Sequence, residues 1–218
     1  MAAGVGAAMA GGKRGSGETR PRQEADWYPT PKDVTCALFD RVSFEGGVYE
    51  PCCGDGSLAV VAAEDYGYDV YGTDLHDRGY GVGHGKAFDV LKLRSLLAPN
   101  VVTNPPFNIA AEIIEHLWGL GPDKMAMLLK STFWHAENRR ELFRRIPPSR
   151  IIALTWRPDF LNLKRPTMEV IWCVWERGHA GGTVFDLAER PEWARKKKGR
   201  GRATPKTADG VTQSDIIR

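Results

Sequence analysis

Between Gly47 and Trp175 the chain alternates two kinds of apolar spacing. Short runs read as strands, most of them rich in β-branched and aromatic residues: GVYE at 47–50, DVYGTD at 69–74, NVVT at 100–103, RIIALTW at 150–156 and TMEVIWCVW at 167–175, with the wholly apolar MAMLL at 125–129 as a buried strand. A further short strand is expected near Lys86–Asp89, with a brief helix through LKLRSLL after it. Between strands, apolar residues recur at helical spacing. The clearest case is 109, 110, 113, 114 and 117, where Glu112, Glu115 and His116 fall on the opposite face. SLAVVAAEDY at 57–66 and the charged stretch 137–146 read as two more helices.

Strands joined by helices imply crossover connections and a mainly parallel sheet covered on both faces. The last two predicted strands are separated by only ten residues, too few for a comfortable crossover helix, so that pair is expected to be antiparallel. The pattern is that of an α/β, doubly wound domain over residues 26–178, with a disordered segment at 1–25 and a basic, flexible tail at 179–218.

Charge sharpens that division. The net charge of +3 hides a core, Asp26 to Arg190, with 18 basic against 22 acidic residues. The positive excess therefore lies at the two ends, most densely in ARKKKGRGR at 194–202. Such a run suits sequence-independent contacts to a polyanion, or simply a solvated tail. Cys36, Cys52, Cys53 and Cys173 have no C-x-x-C spacing, which argues against zinc and for reduced thiols in a cytoplasmic protein. No metal is expected, and no membrane either, since no apolar run approaches the roughly 18 residues of a span.

Two stretches carry candidate chemistry. In VYEPCCGDGSLA, at 48–59, a strand enters a turn with Gly54 and Gly56 and leaves as a helix, so helix N–H groups face any ligand held there. Asp74, twenty residues after Gly54, closes the second strand and suits ribose hydroxyls. The same spacing fits a dinucleotide fingerprint, so an NAD-dependent oxidoreductase stands as a rival, as does a non-catalytic nucleotide-binding module. Glu50-Pro51 shifts the balance. An acid there repels a pyrophosphate but suits a cationic amine or sulfonium.

The second stretch is VVTNPPFN at 101–108. Prolines 105 and 106 force a stiff extended exit from the strand at its carboxyl end, where open α/β sheets bind ligands. The Asn104 side-chain oxygen and the Pro105 carbonyl form a pair of acceptors suited to the two hydrogens of a planar amine. Phe107 offers a face for base stacking, and Phe160, in the loop 157–166, is placed to close the pocket from the other side. His135-Ala136-Glu137 resembles the H-x-E of zinc deaminases, but no P-C-x-x-C follows.

EPCCGDG at 50–56, TNPPF at 103–107 and DWYPTP at 26–31 together resemble the amino-methyltransferases that act on adenine in DNA, many of them encoded by phages and prophages. The resemblance spans about residues 26–177. It implies a class I S-adenosylmethionine-dependent methyltransferase sheet, seven-stranded with an antiparallel last strand, and S-adenosylmethionine as cofactor. Tyr28, Thr30 and Pro31 would flank its methionine portion. Glu50, Pro51, Cys52, Gly54 and Gly56 would face its amino acid and sulfonium end, Asp74 its ribose and Asp89 its adenine. Asn104, Pro105, Pro106 and Phe107 would be catalytic. The implied partner is DNA, with RNA or a protein glutamine amide as alternatives of like chemistry. Because no large target-recognition domain is evident, specificity is expected to be weak or to come from a homodimer or a partner. Residues 30–31 and Asp89 also have plain structural readings, as a helix start before Val34 and as a cap for the short helix after Asp89.

Overall fold

The computed structural model describes residues 27–81, 87–162, 166 and 168–195; the expected disordered segment at 1–25 and most of the basic run at 194–202 lie outside them. The chain begins with α1 (Lys32–Phe39) and continues through β1 (Val48–Glu50), α2 (Ser57–Glu64), β2 (Val70–Gly72), β3 (Asn100–Thr103), α3 (Ala110–Gly119) and β4 (Lys124–Lys130). Two single 3-10 turns then lead into α4 (Arg140–Arg145), followed by β5 (Arg150–Leu154), β6 (Val170–Glu176) and β7 (Val184–Ala188).

The strands form one sheet in the order β2-β1-β3-β4-β6-β5-β7. Every pairing is parallel except those of β6, which runs antiparallel between β4 and β5. The strand expected to reverse direction is thus the one that does, and it fills the slot that a short 154–170 connection leaves open. β4 sits near the middle, and its Met125–Leu129 are fully buried. Alternation divides them between two cores. Ala126 and Leu128 join the α1 and α2 side, with Val34, Leu38, Leu58 and Trp172. Met125, Met127 and Leu129 join the α3 side, with Ile113, Ile114 and Leu117.

α1 is held to the late strands by polar contacts as well as packing. Trp172 Nε1 donates to the Val34 carbonyl at 2.9 Å. Arg190, just past β7, pairs with the buried Asp33 carboxylate at 2.8 Å.

Two expectations are corrected. The strand near 86–89 does not form: Ala87, Phe88 and Asp89 are irregular and unpaired in the sheet, Lys86 lies outside the described residues, and only a 3-10 turn at Val90–Lys92 follows. The seventh strand is instead β7, inside the stretch expected as a flexible tail from 179. β7 pairs in parallel with β5 as an edge strand.

Candidate active site

The carboxyl ends of β1, β2 and β3 open into a cleft of about 590 Å³, roofed by the segment Trp27–Thr30 that leads into α1. This is the position at which open α/β sheets place ligands. Of the residues singled out from the sequence, Tyr28, Thr30, Glu50, Pro51, Cys52, Gly54, Asp74, Asp89, Asn104 and Pro106 line it, whereas Pro31, Gly56, Pro105, Phe107 and Phe160 do not.

The loop between β1 and α2 is shaped by what lies on it. Gly54 and Gly56 have φ of 54° and 82°, the left-handed region. A Cβ at Gly54 would stand 2.5 Å from the Trp27 indole nitrogen, and one at Gly56 would stand 2.4 Å from the Tyr80 ring. Asp74 fixes the loop from the next strand: its Oδ2 accepts the Gly54 N–H at 2.9 Å and its Oδ1 accepts the His76 N–H at 2.8 Å. Asp74 therefore serves the loop's architecture while also lining the cleft.

Glu50 is 2% exposed, yet its Oε2 has no hydrogen-bond partner. Burial, reinforced by the neighbouring Asp74 charge and only partly relieved by the Ala59 N–H, holds its carboxyl well above the ordinary range. Burial likewise pushes the Cys53 thiol up to about 12 and raises that of Cys52, so neither is a nucleophile at neutral pH. Asp89 fulfils its structural reading, accepting from the Leu91 N–H at 3.0 Å and pairing with Lys92 at 3.2 Å, both of which hold its carboxyl below the usual value. It nonetheless remains on the cleft wall.

On the far side, Asn104 leaves β3 with its amide nitrogen fully engaged. Nδ2 donates to the Tyr28 carbonyl at 3.0 Å and to Thr30 Oγ1 at 3.1 Å. Pro31 does not reach the cleft; its carbonyl accepts the Val34 and Thr35 N–H groups at 3.0 and 3.2 Å and so opens α1. Pro105 is buried away from the cleft wall, so the main-chain acceptor expected from it is not displayed there, while Pro106 is on the wall.

The stacking face expected of Phe107 is not open either. Phe107 is 8% exposed, with the Tyr28 ring stacked on it at 6.3 Å and 24° and Lys130 Nζ 4.8 Å from its centroid. Phe160, also 8% exposed, meets Tyr28 edge-on at 6.1 Å. Tyr28 thus contacts both rings that were expected to flank a substrate, because burying three aromatic rings together removes more apolar surface than leaving a slot between two.

Other wall residues carried no local signal. Arg78 stacks its guanidinium on Trp27 at 4.4 Å, and Phe88 reaches the cleft because its N–H is bound to the Asp74 carbonyl at 2.9 Å. Trp27 is adjacent to the flagged Tyr28, but Arg78 sits in an aperiodic loop. Among the described residues, no group of three or more His, Cys, Asp or Glu side chains is placed to hold a metal.

A mostly parallel sheet with a glycine turn after the first strand, an acid after the second and a single reversed strand between β4 and β5 is the class I S-adenosylmethionine-dependent methyltransferase fold. No family model and no curated protein sequence matches the chain. Solved structures do. The type I restriction-modification system methyltransferase subunit from Streptococcus thermophilus superposes with a TM-score of 0.56 at 15% identity, over 73% of this chain and 47% of that one. This chain therefore spans about half the length of that subunit. A candidate RNA methyltransferase from Pyrococcus horikoshii gives 0.52 at 13% identity, over 74% and 91% of the two chains. A candidate class I S-adenosylmethionine-dependent methyltransferase from Listeria monocytogenes gives 0.50 at 12%, over 76% and 67%. At these identities the likeness establishes the fold.

S-adenosylmethionine is the cofactor expected of this fold, and the residues present suit it. The unpartnered, buried Glu50 oxygen is matched by a cationic amine or sulfonium, and Gly54 is on the wall of the same cleft.

Proposed function

We propose that this chain is an S-adenosylmethionine-dependent methyltransferase acting on the exocyclic N6 amine of adenine in DNA. One observation carries the reading: Asn104 and the Glu50–Gly54 loop line the same cleft, so an amine acceptor and a site for a cationic methyl donor share one space. When bound, S-adenosylmethionine supplies a methyl group on a sulfonium with a neutral leaving group. The protein's part is placement. Glu50, Gly54 and Asp74 hold the cofactor side. Asn104 Oδ1 accepts an amine hydrogen, which draws the nitrogen lone pair out of the ring and toward the methyl. Presenting an adenine from duplex DNA requires flipping it out, at a cost of a few kcal/mol.

The Streptococcus thermophilus neighbour favours DNA, as does the basic run near the carboxyl end, proposed to contact phosphates. RNA is the second reading, supported by the Pyrococcus horikoshii neighbour, which this chain nearly covers. Specificity is proposed to be short, or completed by a second copy or a partner, in the cytoplasm of the cell or of a phage host. The test is incubation with tritiated S-adenosylmethionine and unmethylated DNA, RNA or protein, followed by identification of the labelled nucleoside or residue. N6-methyladenosine from RNA alone, or methylglutamine, displaces the DNA reading. Calorimetry showing binding of NAD and not of S-adenosylmethionine overturns the class.

A further inference from the structure

The stretch Tyr28-Pro29-Thr30-Pro31 alternates prolines with the two residues that touch Asn104. Each proline biases the residue before it toward extended backbone, so positions 28 and 30 are both stiffened and 30 has a proline on either side. Pro31 itself is extended, with φ −61° and ψ 144°, before the chain turns into α1. The Tyr28 ring packs on Phe107 and Phe160, which anchors the start of this strap on the substrate side of the cleft. Thr30 is buried with its hydroxyl pointing at Asn104.

The consequence lies in the donor inventory of a primary amide. It has two N–H donors and one carbonyl oxygen. Both donors of Asn104 are taken by the chain, one by a main-chain carbonyl and one by a hydroxyl. What the amide has left to offer the cleft is its oxygen. We infer that Tyr28 and Thr30 form a positioning pair that sets the Asn104 amide as an acceptor only, so the site selects a substrate group that donates an N–H, and requires asparagine rather than aspartate at this position. This rests on the reading of Asn104 as the acceptor for the methylated nitrogen. A carboxylate at 104 would keep an acceptor for the substrate but would set an oxygen against the Tyr28 carbonyl, which has no hydrogen to give.

The experiment compares Thr30→Val, Thr30→Ser and Asn104→Asp in the full chain. The first readout needs no turnover: hydrogen exchange of the Asn104 side-chain NH2 by nitrogen-15 NMR, the resonance being assigned by its loss in Asn104→Ala. Both protons are expected to be slowed in the wild type, one of them to lose protection in Thr30→Val, and Thr30→Ser to restore it. The second readout is steady-state methyl transfer. Thr30→Val is expected to lower kcat about three- to tenfold, the range one neutral hydrogen bond implies, with the cofactor Kd within about twofold. Thr30→Ser should recover most of that loss, and Asn104→Asp should be as slow as Asn104→Ala.

Unprotected Asn104 protons in the wild type overturn the proposal, as does an Asn104→Asp variant that keeps the wild-type rate, or a Thr30→Ser variant no better than Thr30→Val. Absence of methyl transfer by the wild type to any nitrogen overturns the proposed function instead, and the exchange measurement still decides the hydrogen bonds.

Discussion

Replacing Glu50 with glutamine is expected to make the protein more stable and less able to bind its cofactor. The side chain is almost fully buried, and one carboxylate oxygen has no partner. Glutamine keeps the shape and removes the charge, so above the raised value of the folded carboxyl, where Glu50 is ionised, the cost of burying an unpaired charged oxygen is relieved, by about 1–3 kcal/mol. For a domain of this size each kcal/mol moves Tm by about 2–4 °C, so in that pH range Glu50→Gln should melt between about 2 and 12 °C higher. The pH dependence gives the sign. The folded carboxyl titrates above its ordinary value of 4.5, so across the window between the two values the folded chain holds a proton that the unfolded chain has lost. Stability contributed by the protonated group is complete below 4.5 and is lost as pH rises through the folded value. Glu50→Gln removes that slope. Affinity for a cation runs the other way, rising with pH as Glu50 ionises and levelling above its raised value, and it should fall at least tenfold and lose this pH dependence in Glu50→Gln, a change of about 1.4 kcal/mol or more. Circular-dichroism melts over a pH series and calorimetry with S-adenosylmethionine test both halves. A variant less stable than wild type throughout, or one that binds the cofactor with unchanged affinity, refutes the reasoning.

Other outcomes follow from the same geometry. Asn104→Ala should abolish methyl transfer while leaving the cofactor Kd within about twofold, since Asn104 contacts the roof and not the glycine loop; equal losses in both, by calorimetry and tritium transfer, would contradict this. Gly56→Ala combines a left-handed backbone costing about 1–2 kcal/mol with a collision against Tyr80, so it should lower Tm and weaken cofactor binding together. Trp172→Phe removes the indole N–H that bonds the Val34 carbonyl and should cost about 0.5–1.5 kcal/mol in chemical denaturation, with the m-value unchanged.

The parts of this molecule written in local spacing were legible. Short β-branched or aromatic runs marked β1 and β3, a continuous apolar run marked β4, the 3.6-residue repeat marked α3, and the short gap before β6 announced its reversal. The glycine turn and Asn104 were found because glycine and proline act on their immediate backbone. What escaped depends on contacts between distant residues. β7 has an ordinary strand composition, but Phe185 is 66% exposed and Leu187 56%, so no inward-facing stripe distinguishes it from a tail. Phe107 is presented by its motif as a free ring, yet Tyr28, far upstream in sequence, stacks on it. The bonds that orient Asn104 span 74 and 76 residues, and no periodicity encodes such a separation.

The clasp of α1 against β6 and the segment after β7 has a consequence for the order in which the molecule matures. Synthesis delivers the strap and the first helix before any other described element, yet the indole and guanidinium that secure that helix are made some 140 to 160 residues later. A nascent chain halted after β4 would carry the glycine turn and Asn104 but lack the anchors that hold their roof. Competence at this cleft is therefore a property of the finished sheet, and the earliest made of the described elements is among the last to be locked in place.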